Sequence, residues 1–352
     1  MGQPTASRRG YAARVSDRLW PVITVLVLAT VASTLFAVTI GAVQVGPAQV
    51  WGIVADRLVP GSVTPVWTPA QAQIVWDYRL PRALLALLVG AGLAVVGTVL
   101  QALVRNPLAD PFLLGVSSGA SLGAVLVFIL GSSVLGGLSL SVAAFLGALL
   151  ALVLVYVLAQ RSGRITPARL VLAGVALAYL FQAVYSYVLQ QAQSGRAAQQ
   201  VLFWLMGSLG GARWEMLPIP TVVLLAGVAY LLVQHRPLNA LGSGEESAIS
   251  LGINVTALRV RLFLLTSLLV GVLVATSGAI AFVGLIVPHT ARMLVGADHR
   301  RVLPVSALLG AVFLQLVDVA ARTVAAPQEL ALSIVTAVFG VPFFLWLLRR
   351  RG

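Results

Sequence analysis

Long apolar runs without a charged residue dominate the sequence, and short gaps that contain arginine separate them. One uncharged run covers residues 19–55 and another covers residues 111–160. A helix needs about 20 apolar residues to cross the hydrocarbon core of a bilayer. The second run is therefore long enough for two spans, with the glycine-containing stretch 131–137 as the natural break. The pattern predicts an all-α integral membrane protein with about ten transmembrane helices.

The predicted spans leave little length for a separate soluble domain. They begin at residue 19 and continue at 83–104, on both sides of 131–137, and at 170–190, 217–233, 256–277, 279–295, 303–321 and 330–348. Residues 197–209 are expected to form a short partial helix. The predicted organisation is an N-terminal segment (1–18), one polytopic domain (19–348) that includes a charged cytoplasmic loop (234–254), and a tail (349–352).

The composition agrees with a membrane protein and excludes several kinds of chemistry. Charged residues make up 9% of the chain, against about 25% in soluble domains. The chain contains no Lys and no Cys. A phosphate-binding loop that ends in Lys-Ser/Thr, a Schiff-base lysine and thiolate chemistry are therefore excluded. His235, His289 and His299 are too scattered for a metal site, and no cofactor is expected.

The net charge of +13 is typical of a nucleic-acid binder, but the arginines lie in the gaps between apolar runs and not on one basic face. With ten spans, seventeen arginines fall on the side of the two termini and six on the opposite side. The positive-inside rule then places both termini in the cytoplasm. No nucleic-acid partner is expected.

The loop between the sixth and seventh spans contains signals for a short helix. Ser243, Gly244, Glu245 and Glu246 match a capping box, with Ser243 as the N-cap and Glu246 reaching back to it. Gly252 stands where a helix C-cap glycine belongs. The signals predict a helix of about two turns on the cytoplasmic face. It is either an ordinary loop helix or an element that a cytoplasmic partner pushes.

Polar residues follow one face of the fifth predicted span. Spacings of three and four residues place them on one side of a helix. They are Tyr179, Gln182, Ser186, Gln190 and Gln193. Because polar groups are unfavourable against lipid, they either bond to neighbouring helices or line a water-accessible path. Gly90, Ala94 and Gly97 in the second span indicate close helix packing.

Two other functional classes have weaker support. Gly115-Val116-Ser117-Ser118-Gly119 matches the pattern of a serine nucleophile, but His289 is the sole candidate base within a span, which disfavours an intramembrane hydrolase. A secondary transporter usually needs an ionisable residue near the membrane midplane, and the predicted spans have almost none. A large passage without such groups must be powered from outside the chain.

Several ordered motifs resemble those of FecCD-type permeases, the membrane subunits of type II ATP-binding-cassette (ABC) importers for ferric siderophores, haem and cobalamin. The resemblance covers residue 79 to the end. The motifs are Arg79-Leu80-Pro81-Arg82, Asn106-Pro107-Leu108-Ala109-Asp110-Pro111, Leu114 to Ala120, Leu172 to Ala176, Trp204 to Ser208, Gly244-Glu245, Gly278 to His289, Asp318 with Arg322, Glu329-Leu330 and Thr336 to Pro342.

The resemblance implies a non-enzymatic transport subunit with ten helices in a bacterial plasma membrane. Its expected partners are a second permease subunit (identical or related), two cytoplasmic ATPase subunits and an extracytoplasmic solute-binding protein. The expected cargo is a ferric siderophore, with haem or cobalamin as the alternative.

The resemblance also implies roles for individual residues. The polar face of span five would line the pathway. Arg79, Arg82 and Arg322 would lie at the outer face and receive acidic residues of the binding protein in exposed ion pairs. The coupling segment that contacts the ATPase would include Ser243, Gly244, Glu245, Glu246, Ala248, Leu251 and Gly252. Asn106 and Leu108 would form a cytoplasmic gate, with a second constriction at Thr166, Pro167 and Ala168.

Overall fold

A computed structural model describes residues 19–41, 43–161, 164–192 and 195–351. The expected N-terminal segment 1–18, Gln193 of the polar face and the last residue of the tail lie outside these ranges. The α-helices of the described chain are α1 (Leu19–Thr39), α2 (Pro47–Leu58), α3 (Pro69–Gln73), α4 (Leu80–Val104), α5 (Val116–Leu130), α6 (Leu140–Ala159), α7 (Pro167–Gln190), α8 (Gly195–Leu205), α9 (Pro218–Val233), α10 (His235–Ser243), α11 (Glu245–Ser250), α12 (Val255–Ser277), α13 (Val283–Val295), α14 (His299–Thr323) and α15 (Leu332–Arg351).

Ten apolar helical segments account for the predicted spans within the described chain. Seven are long enough to cross a bilayer. Five of these are the helices α1, α6, α7, α12 and α14. The other two are the continuous segment Pro69–Val104, which ends with α4, and the segment Trp214–Val233, which contains α9. Three shorter apolar helices, α5, α13 and α15, complete the set. The all-α membrane fold is confirmed, and α8 confirms the partial helix. The uncharged run 19–55 divides into two helices, α1 and α2.

Short connections join the helices. A π-helical turn, Ile74–Arg79, links α3 to α4 without a break. Two-residue strands, β1 (Gln160–Arg161) and β2 (Arg164–Ile165), pair antiparallel between α6 and α7, with Gln160 opposite Ile165. This ladder turns the chain directly before the start of α7.

Helix α4 lies at the centre of the bundle, with 89% of its apolar stretch buried. Glycine makes this packing possible, because a Cβ on Gly97 would overlap the backbone of Gly284 in α13. Gly90 and Gly310 of α14 approach each other in the same way. The close-packing signal in this span is thereby confirmed. Helix α7 is the least buried of these long helices, since 17% of its apolar stretch is buried.

Candidate permeation pathway and coupling surface

The polar residues of α7 face away from the body of the chain. The buried positions of this helix are Leu170, Ala173, Gly174, Leu177 and Phe181. A helical turn of about 100° per residue places Tyr179, Gln182, Ser186 and Gln190 on the opposite side. The Tyr179 side chain is 69% exposed, Gln182 and Gln190 are exposed, and Ser186 is half-buried. In this single chain the polar face is an open surface.

The first expected gate segment follows the C-terminus of α4. Arg105 is left-handed, with φ 55°, and the Asn106 amide donates to the Gln101 carbonyl at 3.1 Å. The Asn106 Oδ1 then accepts from the Leu108 amide at 2.9 Å. Both Asn106 and Leu108 are exposed. The backbone of this loop is therefore fixed by local hydrogen bonds, and the Asn106 side chain takes part in them while it remains exposed.

The second expected gate segment is the start of α7. Thr166 is the N-cap residue, Pro167 occupies the first helical position, and Thr166 and Ala168 are exposed. Proline is favoured at this position because an amide hydrogen in the first turn of a helix would have no helical partner, so its absence costs nothing. The C-terminus of α4 and the N-terminus of α7 both belong to the end of the bundle that the arginine distribution predicts to be cytoplasmic.

The short helix in the charged loop exists as α11, but its N-terminus differs from the predicted one. Ser243 is the last residue of α10, and its hydroxyl donates to the Asn239 carbonyl at 3.1 Å. Gly244 is the N-cap residue, with φ 132°. The predicted capping box is therefore wrong, because α10 continues through Ser243 and brings its hydroxyl within reach of its own preceding turn.

The predicted end of this helix is confirmed. Gly252 is left-handed, with φ 77°. Its amide donates to the Ile249 carbonyl at 2.9 Å, and the Ile253 amide donates to the Ala248 carbonyl at 3.1 Å. These two hydrogen bonds form a Schellman motif. On the outside, Glu246 and Leu251 are exposed, while Ala248 is buried against the bundle.

A polar cavity of about 680 Å³ lies beside the helix that precedes α11. Asn239 joins α10 to the start of α14 there. Its Nδ2 donates to Asp298 at 2.8 Å, and its Oδ1 accepts from the His299 amide at 2.9 Å. The lining residues are Gln101, Ala102, Arg105, Pro107, Asn239, Gly242, Ser243, Arg292, Ala297, Asp298 and His299.

Asp298 is the N-cap residue of α14 and carries a perturbed carboxyl group. Burial on its own raises the pKa of this carboxyl. Hydrogen bonds from Asn239 and the Arg300 amide, with the nearby charges of Arg301 and His235, outweigh that effect and hold the pKa below its ordinary value. The cavity therefore contains a carboxylate that stays ionised at neutral pH.

The three arginines expected at the outer face are engaged inside the molecule. Arg79 is 5% exposed and donates to the carbonyls of Thr39, at 2.9 Å, and Val43. Arg322 is 6% exposed and donates to the Ala37 carbonyl at 2.5 Å. A cation near the C-terminus of a helix is favourable because the last carbonyls there lack helical partners. Arg79 and Arg322 thus stabilise the end of α1, and the expectation of exposed ion pairs is wrong for both.

Arg82 lies between two carboxylates. Its Nε donates to Asp318 at 2.9 Å, and its two Nη atoms donate to Glu329 at 2.8 and 3.0 Å. The Asp318 side chain is 1% exposed and that of Glu329 is 38% exposed. The side chain of Arg82 itself is 11% exposed, so only the Glu329 edge of this cluster reaches the surface.

The sequence interpretation assigned no individual role to Arg259, which pairs with a residue of the expected coupling segment. Its side chain is 3% exposed, and its Nη2 lies 2.8 Å from Glu245 Oε2. A sequence signal existed, since an arginine among the apolar residues of a predicted span calls for a partner. The partner cannot be read from helical spacing, because Glu245 lies in a different helix.

The structure gives no support to the alternative of a hydrolase. Ser117 is 2% exposed, and its Oγ has no hydrogen-bond partner within the described ranges. His289 packs edge-on against Phe343, with ring centroids 5.8 Å apart. No group of three metal-ligating side chains occurs in the described part of the chain.

The fold is that of an all-α polytopic membrane protein. The model of the FecCD transport family matches residues 27–350, and the chain belongs to that family.

Several relatives are named as permeases of import or transport systems. The cobalamin import system permease protein BtuC of Halobacterium salinarum is 46% identical over 80% of this chain and 75% of its own length. The hemin transport system permease protein HmuU of Yersinia pestis is 43% identical over 81% and 87%. The vitamin B12 import system permease protein BtuC of Salmonella paratyphi A is 42% identical over 80% and 86%.

A solved structure of a metal-chelate type ABC transporter in an inward-facing conformation is also similar. It has a TM-score of 0.80 and 35% identity, and the match covers 94% of this chain and 99% of that one. These comparisons confirm the prediction of an ABC importer permease, which is a transport subunit and not an enzyme. Such a permease works as a dimer with ATPase and substrate-binding partners.

Proposed function

We propose that this chain forms half of the central pathway of an ABC importer that moves a cobalamin-like or hemin-like metal chelate across the plasma membrane of a bacterium. The observation that carries the proposal is the polar face of α7, which is open and lies opposite the buried face of the same helix. A second permease subunit that faces this surface would enclose a polar passage between the two copies.

The chemistry of this face favours passage of an intact chelate. Tyr179, Gln182, Ser186 and Gln190 are neutral and offer hydrogen bonds, but none is a carboxylate, thiolate or imidazole that would strip a metal from its chelator. Weak polar contacts let a large solute leave as easily as it enters. Selection would then rest mainly on the binding protein that delivers the cargo.

The names of the relatives guide the choice of cargo. The curated relatives described above are named for cobalamin, vitamin B12 and hemin. All of these are metal complexes of large macrocycles. A macrocyclic chelate is therefore the first candidate, and the ferric siderophore expected from the family resemblance becomes the alternative for the same experiment.

The proposed orientation places α11 and both termini in the cytoplasm. The arginine asymmetry supports it, because the side with α11 also carries Arg236, Arg259 and Arg261. In this arrangement α11, with the exposed side chains of Glu246 and Leu251, contacts the ATPase. Leu108 and Ala168 narrow the pathway on the same side.

The proposed docking surface for the binding protein is the outer cluster around Arg82. Glu329 already forms an ion pair with Arg82 there, so an incoming carboxylate would compete with Glu329 for the guanidinium. Arg79 and Arg322 would support this surface from behind by holding the end of α1. Such ion pairs would contribute orientation and association rate more than affinity.

Reconstitution with the cognate ATPase and binding protein in liposomes tests the function. Uptake of radiolabelled cobalamin, hemin and a ferric siderophore is measured side by side. We expect ATP-dependent uptake of one macrocyclic chelate, and none with an ATPase that binds but does not hydrolyse ATP. Uptake of the siderophore alone would restore the alternative cargo, and failure with all three chelates would contradict the proposal.

A further inference from the structure

Helix α12 carries a buried positive charge near its N-terminus. Arg259 is the fifth residue of this helix and is 3% exposed, between the buried residues Leu258 and Leu262. A guanidinium in such a place is unfavourable unless other groups compensate its charge and its hydrogen-bond donors. Whatever compensates Arg259 is therefore held in place by it.

The first compensating group is the first residue of α11. Glu245 Oε2 lies 2.8 Å from Arg259 Nη2, and Oε1 lies 3.3 Å from Nη1. The pair is bidentate, a geometry that fixes the direction as well as the distance between the two groups. Unlike Arg259, the Glu245 side chain is 46% exposed. The ion pair thus connects a fixed cation in a span to the exposed start of the proposed ATPase-contacting helix.

The second compensating group belongs to the segment that leads into the gate. Arg259 Nη1 also lies 3.5 Å from the Ile165 carbonyl oxygen. Ile165 is 2% exposed and belongs to the same apolar cluster as Val255 and Leu258 of α12. The next residue, Thr166, begins the second gate segment. One guanidinium therefore contacts both α11 and the residue before the gate.

We propose that Arg259 is a positioning residue that transmits movement of α11 to the gate segment Thr166–Ala168. If the ATPase displaces α11, Glu245 cannot leave without exposing an uncompensated buried charge. The guanidinium must follow it, and the Ile165 carbonyl then loses or changes its contact. The inference rests on the proposed function, because it assumes that α11 contacts the ATPase and that the start of α7 narrows the pathway.

The absence of native cysteine allows a direct readout of the gate. Ala168→Cys is introduced in the full complex with ATPase and binding protein, and its rate of modification by a membrane-impermeant maleimide is measured without nucleotide and with ATP. Arg259→Gln and Glu245→Gln are compared on this background. Arg261→Gln is the matched control, since Arg261 lies on the same helix but is exposed.

We expect the nucleotide-dependent change in labelling to be present with native Arg259 and Glu245, and to persist in Arg261→Gln. It should disappear in Arg259→Gln and in Glu245→Gln, with about a tenfold loss of chelate transported per ATP hydrolysed, which is a typical size for coupling between sites. The charge exchange Glu245→Arg with Arg259→Glu should restore part of both signals. If the ion pair only stabilised the fold, the charge exchange would restore assembly of the complex but not the nucleotide-dependent change in labelling.

Two outcomes would overturn the inference. One is a nucleotide-dependent change that persists in both Gln variants. The other is an assembled, ATP-hydrolysing charge-exchange complex that recovers neither signal. Assembly with the ATPase and ATP hydrolysis are measured for each Gln variant as a guard against simple misfolding, because Glu245→Gln leaves the buried guanidinium without a charged partner. If the complex with native Arg259 and Glu245 itself shows no labelling change and no uptake, the proposed function has failed, and not only the positioning role of Arg259.

Discussion

The ionised carboxyl group of Asp298 contributes to the stability of the folded chain. Because its pKa is lower in the folded chain than in the unfolded chain, its stabilising contribution is complete above the ordinary pKa of aspartate. The contribution is lost as the pH falls through the lower folded value. Its carboxylate also caps α14, since Oδ1 accepts from the Arg300 amide at 3.0 Å.

We therefore expect Asp298→Asn to lower the melting temperature at pH 7 and to have little effect near the acid end of the titration. Asparagine keeps one oxygen that can cap the helix, so this variant isolates the charge. Thermal unfolding in detergent at several pH values measures the difference. Asp298→Ala, which also loses the cap, should remain destabilised at every pH. A difference between Asp298→Asn and the native chain that does not vary with pH would contradict this account.

The two carboxylates bound to Arg82 differ in burial and should differ in energetic weight. Asp318 is enclosed between Arg82 and Arg322, whereas Glu329 is partly solvated. Removal of one partner from a buried ion pair costs about 3–5 kcal/mol, because an uncompensated charge remains. Removal of an exposed partner costs about 0–1 kcal/mol.

Asp318→Asn should therefore lower stability severely, and Glu329→Gln should be nearly neutral. Thermal unfolding of the two purified variants in the same detergent, beside the native chain, gives the comparison. Equal destabilisation by the two substitutions would contradict the argument from burial.

At the scale of the helix, α7 allows its polar face to be tested against its buried face. Gln182→Cys and Ser186→Cys should react with a membrane-impermeant thiol reagent in the assembled importer, because the proposed pathway brings water to that side. Phe181→Cys is the matched control, since Phe181 is 4% exposed. Leu180, although apolar, is 55% exposed and is unsuitable as a control. Labelling of Phe181→Cys as fast as Gln182→Cys would place the pathway elsewhere.

Helix α11 depends on the left-handed backbone of Gly252. A Cβ at this position would meet no other atom within 4 Å, so the effect of a substitution comes from the backbone alone. L-residues pay about 1–2 kcal/mol for this conformation, with β-branched residues affected most and asparagine least. We expect Gly252→Val to weaken co-purification with the ATPase, and Gly252→Asn to preserve most of it. Equal retention of the ATPase by both variants would contradict the requirement for this turn.

At the scale of the whole molecule, the sequence predicted what local pattern determines. The run lengths predicted the spans, and Gly252 predicted the end of α11, because both depend on neighbours along the chain. The pairing of Arg82 with Asp318 joins residues 236 positions apart. The pairing of Arg259 with Glu245 joins two helices whose relative placement no spacing encodes. The predicted cap at Ser243 failed because the preceding helix continued, which is a competition between two local signals.

The contrast between α4 and α7 bears on how such an importer can diversify. Substitutions in α4 meet the backbones of α13 and α14, so that helix tolerates little change. Substitutions on the open face of α7 touch few atoms of their own chain and should alter stability by only about 0.5 kcal/mol. Selection, natural or in a library confined to Gln182, Ser186 and Gln190, can therefore vary the wall of the proposed pathway without first repairing the fold. A weakly packed helix on a rigid frame would make the protein evolvable at the surface that we propose its solute meets.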